Sequence, residues 1–173
     1  MEYGVHLPLI DFGAPASLRG LKEYARAAAD LGYRWLCTND HLVFSRPWLD
    51  GPTAVAAVVE ESRELRLATT VALPVVRGPV QLAKTVAALD ILSGGRVTVG
   101  VGPGSSAADY AAAGIPFEER RPRFREAVAA LGALLEGGPG FEGEFYSTGG
   151  IVLEPPPAQQ PRPPIWVASW GSR

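Results

Sequence analysis

Cysteine is almost missing: Cys37 is the only one in 173 residues. No internal disulfide can form, and no multi-cysteine metal site can be built. An excess of one charge sign is missing too. A formal net charge of −2 leaves no electrostatic footprint for nucleic acid or an anionic membrane. No apolar run reaches the roughly 20 residues a membrane helix needs. The start, "MEYGVHLPLI", has neither a basic leader nor a small-residue cleavage site, so no signal peptide is expected and the cytoplasm is the expected location. What is present is ordinary for a globular chain, 47% hydrophobic and 20% charged. Its length suits one core, read as a single domain over 1–173.

Short apolar, β-rich runs recur at "YGVHLPL" (3–9), "RWLCT" (34–38), "RLATTVAL" (66–73) and "RVTVGVG" (96–102). Their starts lie about thirty residues apart, the size of a strand–helix unit. Helical patterns separate them. "SLRGLKEYARAAADLG" has an N-cap residue in Ser17 and places Leu18, Leu21, Ala25, Ala28 and Ala29 on one face before Gly32. "PTAVAAVVEES" starts at Pro52, and "PVQLAKTVAALDILSGG" starts at Pro79 with Leu82, Val86 and Leu89 in one stripe. A later helix, "RRPRFREAVAALGALLEGG", turns Phe124, Val128, Leu131 and Leu135 inward. The charge run "EERRPRFRE" reads as its solvated start.

This order implies an α/β protein with a mostly parallel sheet. An open doubly wound sheet and a (β/α)8 barrel both fit. The pattern then breaks at about 139–164, with a hairpin in "FEGEFYSTGGIVLEP" turning at "STGG" and a proline-rich connector "PPPAQQPRPP". "IWVAS" is a fifth strand. A full (β/α)8 barrel takes about 250 residues. About five strands therefore make a barrel fragment, a half-barrel that associates, or no barrel.

Two stretches hold chemistry. "CTNDHLV" (37–43) delivers Asn39, Asp40 and His41 at the end of a strand. Asn and Asp make turns, so a turn explains the stretch; an acid–base pair on a rigid strand explains it as well. His6, the other histidine, shares a strand face with Gly4 opposite Tyr3, Val5, Leu7 and Leu9; it lines the barrel mouth or, as the favoured reading, is a buried, bonded histidine. "GVGPGSS" (100–106) fails as a dinucleotide fingerprint, because its spacing is G-x-G-x-G and it follows the fourth strand. That disfavours an open nucleotide binder. Ser106 and Asp109 form the S-x-x-D of a capping box at the next helix.

"NDH", "TTVALPVVRGP", "LDILSGGRVTVGVGPGS" and "PIWVAS" together resemble the N-terminal half of the luciferase-like monooxygenases, the bacterial luciferase superfamily, from about Tyr3 onward. The resemblance implies a partial TIM-type (β/α)8 barrel of about five parallel strands, with surrounding helices and a hairpin excursion before the last strand. It implies FMN or coenzyme F420 at the C-terminal mouth of the barrel, a small organic substrate, and either self-association or a missing C-terminal half. His41 would handle a proton at the reacting ring, and Asp40 would hold the His41 tautomer or bond the cofactor. Asn39, Thr70, Val71, Gly102, Gly104, Ser105 and Ser169 would line the cofactor, with a cis peptide at Thr70–Val71. Trp170 is bulky for the contact that small residues make after the fifth strand. The catalytic acid that F420-dependent sugar-phosphate dehydrogenases carry after these glycines is replaced by Ser105–Ser106. Arg77 reads as a loop residue and Arg96 as a strand-start charge, both structural. The alternative is a half-barrel module without catalysis, used for self-association or partner binding.

Overall fold

Strand after strand, the chain adds to one edge of a single sheet. The structure, a computed structural model, describes residues 1–11, 13 and 15–168. Five strands, β1 (Gly4–His6), β2 (Trp35–Thr38), β3 (Arg66–Ala72), β4 (Val97–Val101) and β5 (Ile165–Val167), pair in parallel in the order β1-β2-β3-β4-β5. The crossovers carry helices α1 (Leu18–Asp30), α2 (Gly51–Ala56), α3 (Pro74–Arg77), α4 (Pro79–Leu92), α5 (Ala107–Ala112) and α6 (Arg120–Leu135). Sequential order with helical crossovers belongs to a barrel wall, not to an open doubly wound sheet, whose strand order reverses. The fold is a partial TIM-type barrel.

Strand alternation splits the sheet into two faces. Leu36, Leu67, Val97, Val99 and Val101 pack outward into the helix layer with Leu21, Ala25, Val58, Leu82, Val86 and Leu131. On the concave face, the Trp35 ring of β2 meets the Trp166 ring of β5 at 4.9 Å. With strands spaced about 4.8 Å apart, these two positions sit about 14 Å apart along the sheet, so the sheet curls toward its inner face. Arg66 stacks over the same Trp35 ring.

Most local readings hold, with instructive departures. Ser17 caps α1 by accepting from Gly20 N–H at 3.1 Å. Leu18, placed on the buried face by periodicity, is 58% exposed at the first position of α1. The helix begun at Pro52 stops at Ala56, shorter than its pattern. No hairpin turns at "STGG": one antiparallel bridge joins Glu142 to Ser147. The turn between them is organised by the Glu126 carboxylate of α6, which accepts from the backbone N–H groups of Glu144, Phe145 and Tyr146 at 2.5, 2.6 and 3.1 Å. Those three charge-assisted bonds outweigh the Gly-Gly turn preference.

Arg96 is structural as read. Its guanidinium donates to the carbonyls of Ser93, Leu65 and Val59 and to the Ser62 hydroxyl, tying the entry of β4 to the preceding loops.

Gly100 on β4 has no room for a side chain, since a Cβ there would overlap the Thr69 carbonyl oxygen of β3. Gly100→Ala is expected to destabilise the chain by about 1–3 kcal/mol or more, since the clash is with backbone that cannot rotate away. A thermal melt checks this. An unchanged Tm would show that β3 and β4 are not in this close approach.

Candidate active site

Four successive strands end around one cavity of 240 Å³. β2 supplies Asn39, Asp40 and His41; β3 supplies Thr70, Val71 and Leu73; the β4 loop supplies Gly102, Pro103, Gly104 and Ser105; β5 supplies Ala168. The C-terminal end of a barrel is where loops can vary without disturbing the strands, so chemistry collects there. Every expected site residue except Ser169 lies on this wall. Ser169 and Trp170 lie outside the described residues. The Thr70–Val71 peptide is cis, and the β3–β4 register shifts between Thr69 and Ala72.

His41 does not work with its sequence neighbour. Its Nδ1 lies 2.7 Å from Asp109 Oδ2, on α5 and 68 residues away. Asp109 is 1% exposed, and its Oδ1 also accepts from the backbone N–H groups of Leu42 and Val43, both at 2.9 Å. A carboxylate already accepting from two N–H groups accepts the third proton as well, so Nδ1 carries a proton, and in the neutral imidazole Nε2 is the bare nitrogen. Phe44 and Trp48 flank the imidazole, with ring centroids at 4.8 and 4.7 Å. Tautomer and orientation are thus both fixed.

The capping box expected at Ser106 is therefore half formed. Ser106 Oγ accepts from Asp109 N–H at 3.3 Å, but the Asp109 side chain turns away to the histidine loop. Its signal in the sequence was present and was read as a cap.

Asp40, expected to hold the His41 tautomer, is engaged elsewhere. Its Oδ2 accepts from Arg77 Nε at 2.6 Å and from Leu73 N–H at 3.2 Å, and its Oδ1 accepts from Arg77 Nη2 at 2.6 Å. Arg77, read as a loop residue, is the last residue of the short helix α3 and also donates to Asp50 Oδ2. Burial works against the Arg77 charge, but hydrogen bonding and attraction from Asp40, then Asp50, outweigh it and raise its pKa. The pair locks the β2 loop onto α3. Asp40 lines the cavity, yet its oxygens are committed to this fork.

Asp50 shows the same balance. Burial pushes its carboxyl up, but hydrogen bonds from Thr53 and Arg77 prevail and hold it below the usual aspartate range. The stabilisation this gives is present above the unfolded value of about 4 and is lost as pH falls through the lower folded value.

The cavity wall suits a flat ring. Gly104 has φ +74°, a conformation that glycine adopts without strain, and a Cβ on Gly102 would lie 2.7 Å from Val71 Cγ2, so both stay bare beside the cavity. Among the described residues, the Asn39 amide and the Ser105 hydroxyl make no side-chain hydrogen bond, which leaves polar groups for a ring edge. Ser105 also opens onto a larger cleft of 780 Å³ shared through Pro103, Gly104 and Ala168 and lined by Arg120, Arg121 and Arg125. No group of three or more metal-ligating side chains occurs among the described residues.

His6 departs from its reading as a buried histidine. It is exposed on the concave face, its Nε2 3.2 Å from Thr70 Oγ1.

Comparison with known proteins shows the family. The family described as luciferase-like monooxygenase matches residues 3–173. An F420-dependent glucose-6-phosphate dehydrogenase from Gordonia bronchialis is 31% identical over 169 residues, 94% of this chain and 47% of that protein. The oxygenase component of the flavin-dependent trigonelline monooxygenase from Acinetobacter baylyi is 32% identical over 66% of this chain and 32% of its own length. The crystal structure of monooxygenase RslO1 from Streptomyces bottropensis superposes with a TM-score of 0.88 at 31% identity, covering 96% of this chain and 53% of that one. The chain spans about half, or less, of the length of these relatives.

Proposed function

Because the chain belongs to the luciferase-like monooxygenase family, we propose that it serves an oxidoreductase that binds FMN or coenzyme F420 against the β2–β5 wall and acts on a small organic substrate. The His41–Asp109 pair at the cavity carries this reading. Relatives divide between F420-dependent and flavin-dependent activities, which share a tricyclic ring and differ in its reaction with oxygen. When bound, the reduced ring supplies the hydride or the two electrons that activate O2. The chain's own part is to bind, orient and move a proton.

Asn39 and Ser105 would offer hydrogen bonds to the ring, and Val71, Gly102 and Gly104 would hold it in the cavity. Arg120, Arg121 and Arg125 in the cleft beyond Ser105 would hold the anionic side chain of either cofactor. His41 lines the cavity, and its Nε2 would take a proton from the substrate or return one to it. Asp109 stabilises the imidazolium that forms, and Phe44 and Trp48 keep the ring in place.

Fluorescence titration of the full-length protein with FMN and, separately, with F420 tests the reading, with solution mass measured on the same sample. Micromolar binding of one of them is expected. A folded sample that binds neither would reduce the chain to a barrel module for association.

A further inference from the structure

Behind the wall of the cavity lies a second histidine that the His41–Asp109 pair does not use. Thr70 lines the cavity. Behind it, His6 Nε2 lies 3.2 Å from Thr70 Oγ1, and the Thr38 carbonyl oxygen lies 3.4 Å from the same hydroxyl. The contact joins β1 to β3 across β2, so the curl of the sheet creates it, not the sequence neighbourhood.

A threonine hydroxyl holds one proton and two acceptor sites. The Thr38 carbonyl can only accept. When His6 Nε2 bears a proton, it donates to Thr70, and the Thr70 proton points to Thr38 or to an acceptor in the cavity. When Nε2 is bare, the Thr70 proton turns to His6. The direction of the hydroxyl therefore follows His6, with the Cys37 thiol as a further neighbour. His6 lies on the concave face of the sheet, at the end of β1.

We propose that Thr70 and His6 form a second proton path into the cavity, serving the cofactor ring while His41 serves the substrate; this rests on the functional reading above. In one step, the Thr70 O–H bond breaks as its proton passes to an anionic nitrogen or oxygen of the bound ring. The His6 Nε2–H bond breaks as its proton restores the hydroxyl. The ring site gains one proton, His6 ends neutral, and no electrons change hands. Thr70 touches the cavity and is the transferring residue. His6 acts through it and is a positioning residue.

The other charged or titratable groups on this concave face are few. Glu2, below β1, is 3.2 Å from Trp35 Nε1, and Arg66 of β3 stacks on Trp35. Cys37, the register partner of His6 on β2, is a thiol that burial pushes up, with a hydrogen bond to Thr70 working the other way. Neighbouring β4 and β5 present Thr98, Gly100 and Trp166 to this face, none of which is charged.

Two measurements on the full-length protein decide the matter. In the first, NMR follows the His6 imidazole through a pH titration without cofactor. Thr70→Val is expected to shift the His6 midpoint and its tautomer balance, and Thr70→Ser to restore both. An unchanged His6 titration in Thr70→Val overturns the proposal whatever the enzyme does. The second measures single-turnover rate against pH with FMN or F420, beside the dissociation constant of the same cofactor. His6→Gln is expected to remove one limb of the pH profile and to slow turnover about tenfold or more where His6 is normally protonated, with cofactor affinity kept within about twofold. A pH profile that keeps both limbs in His6→Gln overturns the relay while leaving the cofactor reading intact. Failure of the wild-type protein to bind either cofactor overturns both.

Discussion

Asp109→Asn is expected to lower turnover of the full-length enzyme by about 10²- to 10⁴-fold while leaving cofactor affinity nearly unchanged. The asparagine oxygen can still accept from Leu42 and Val43 N–H, so the loop keeps its path. The amide nitrogen then faces His41 Nδ1 and donates to it, which drives the imidazole proton onto Nε2. The ring would present a donor where the wild type presents a lone pair. A comparable substitution behind a catalytic histidine in a serine protease costs about 10⁴-fold. The check is kcat and cofactor Kd on the same preparation, with His41→Ala beside it. Equal losses in the two variants would show the pair acting as a unit. A drop of less than about threefold in Asp109→Asn would return Asp109 to a purely structural role.

The second large effect is on stability. Arg77→Ala is expected to cost roughly 3–5 kcal/mol, because it strands the Asp40 carboxylate without its partner. Asp40 has a side chain 3% exposed, and Arg77 one that is 18% exposed. Arg77→Lys should recover little of the loss, since a single ammonium cannot reproduce the two parallel bonds of the guanidinium fork. Replacing both members, Arg77→Met with Asp40→Leu, should return most of the stability, because paired apolar side chains remove the desolvation penalty along with the bond. The urea midpoint of the three variants checks this. A double variant as unstable as Arg77→Ala would mean that Asp40 is held for something other than this pair.

Local signals located most elements because each rested on neighbours in the chain. Pro79 opens α4, and Leu82, Val86 and Leu89 form its buried stripe. Gly94 and Gly95 take positive φ where that helix ends. The family resemblance pointed to the wall of the cavity: Asn39, Gly102, Gly104 and Ser105 after their strands, and Thr70 and Val71 within β3, all line it. The partners were not legible. Asp109 carries a helix-cap signature that explains it locally, so nothing near it points to His41. Arg77 ends a single helical turn, Pro74–Arg77, too short for periodicity to reveal. His6 alternates with apolar residues as a buried strand residue would, and exposure followed only from the open concave face.

The sequence by itself determined the succession of strands and helices, the outward apolar faces and the residues presented at the strand ends. These follow from spacing, capping and side-chain alternation, all of which act within a few residues. The tertiary structure decided which acid serves which base. Asp109 reaches His41, Arg77 draws Asp40 away from it, and Thr70 meets His6, because parallel strands stacked in order bring distant loops together at one end of a curled sheet. Burial then makes each pairing selective, since a carboxylate taken out of water must find its donors wherever the fold places them.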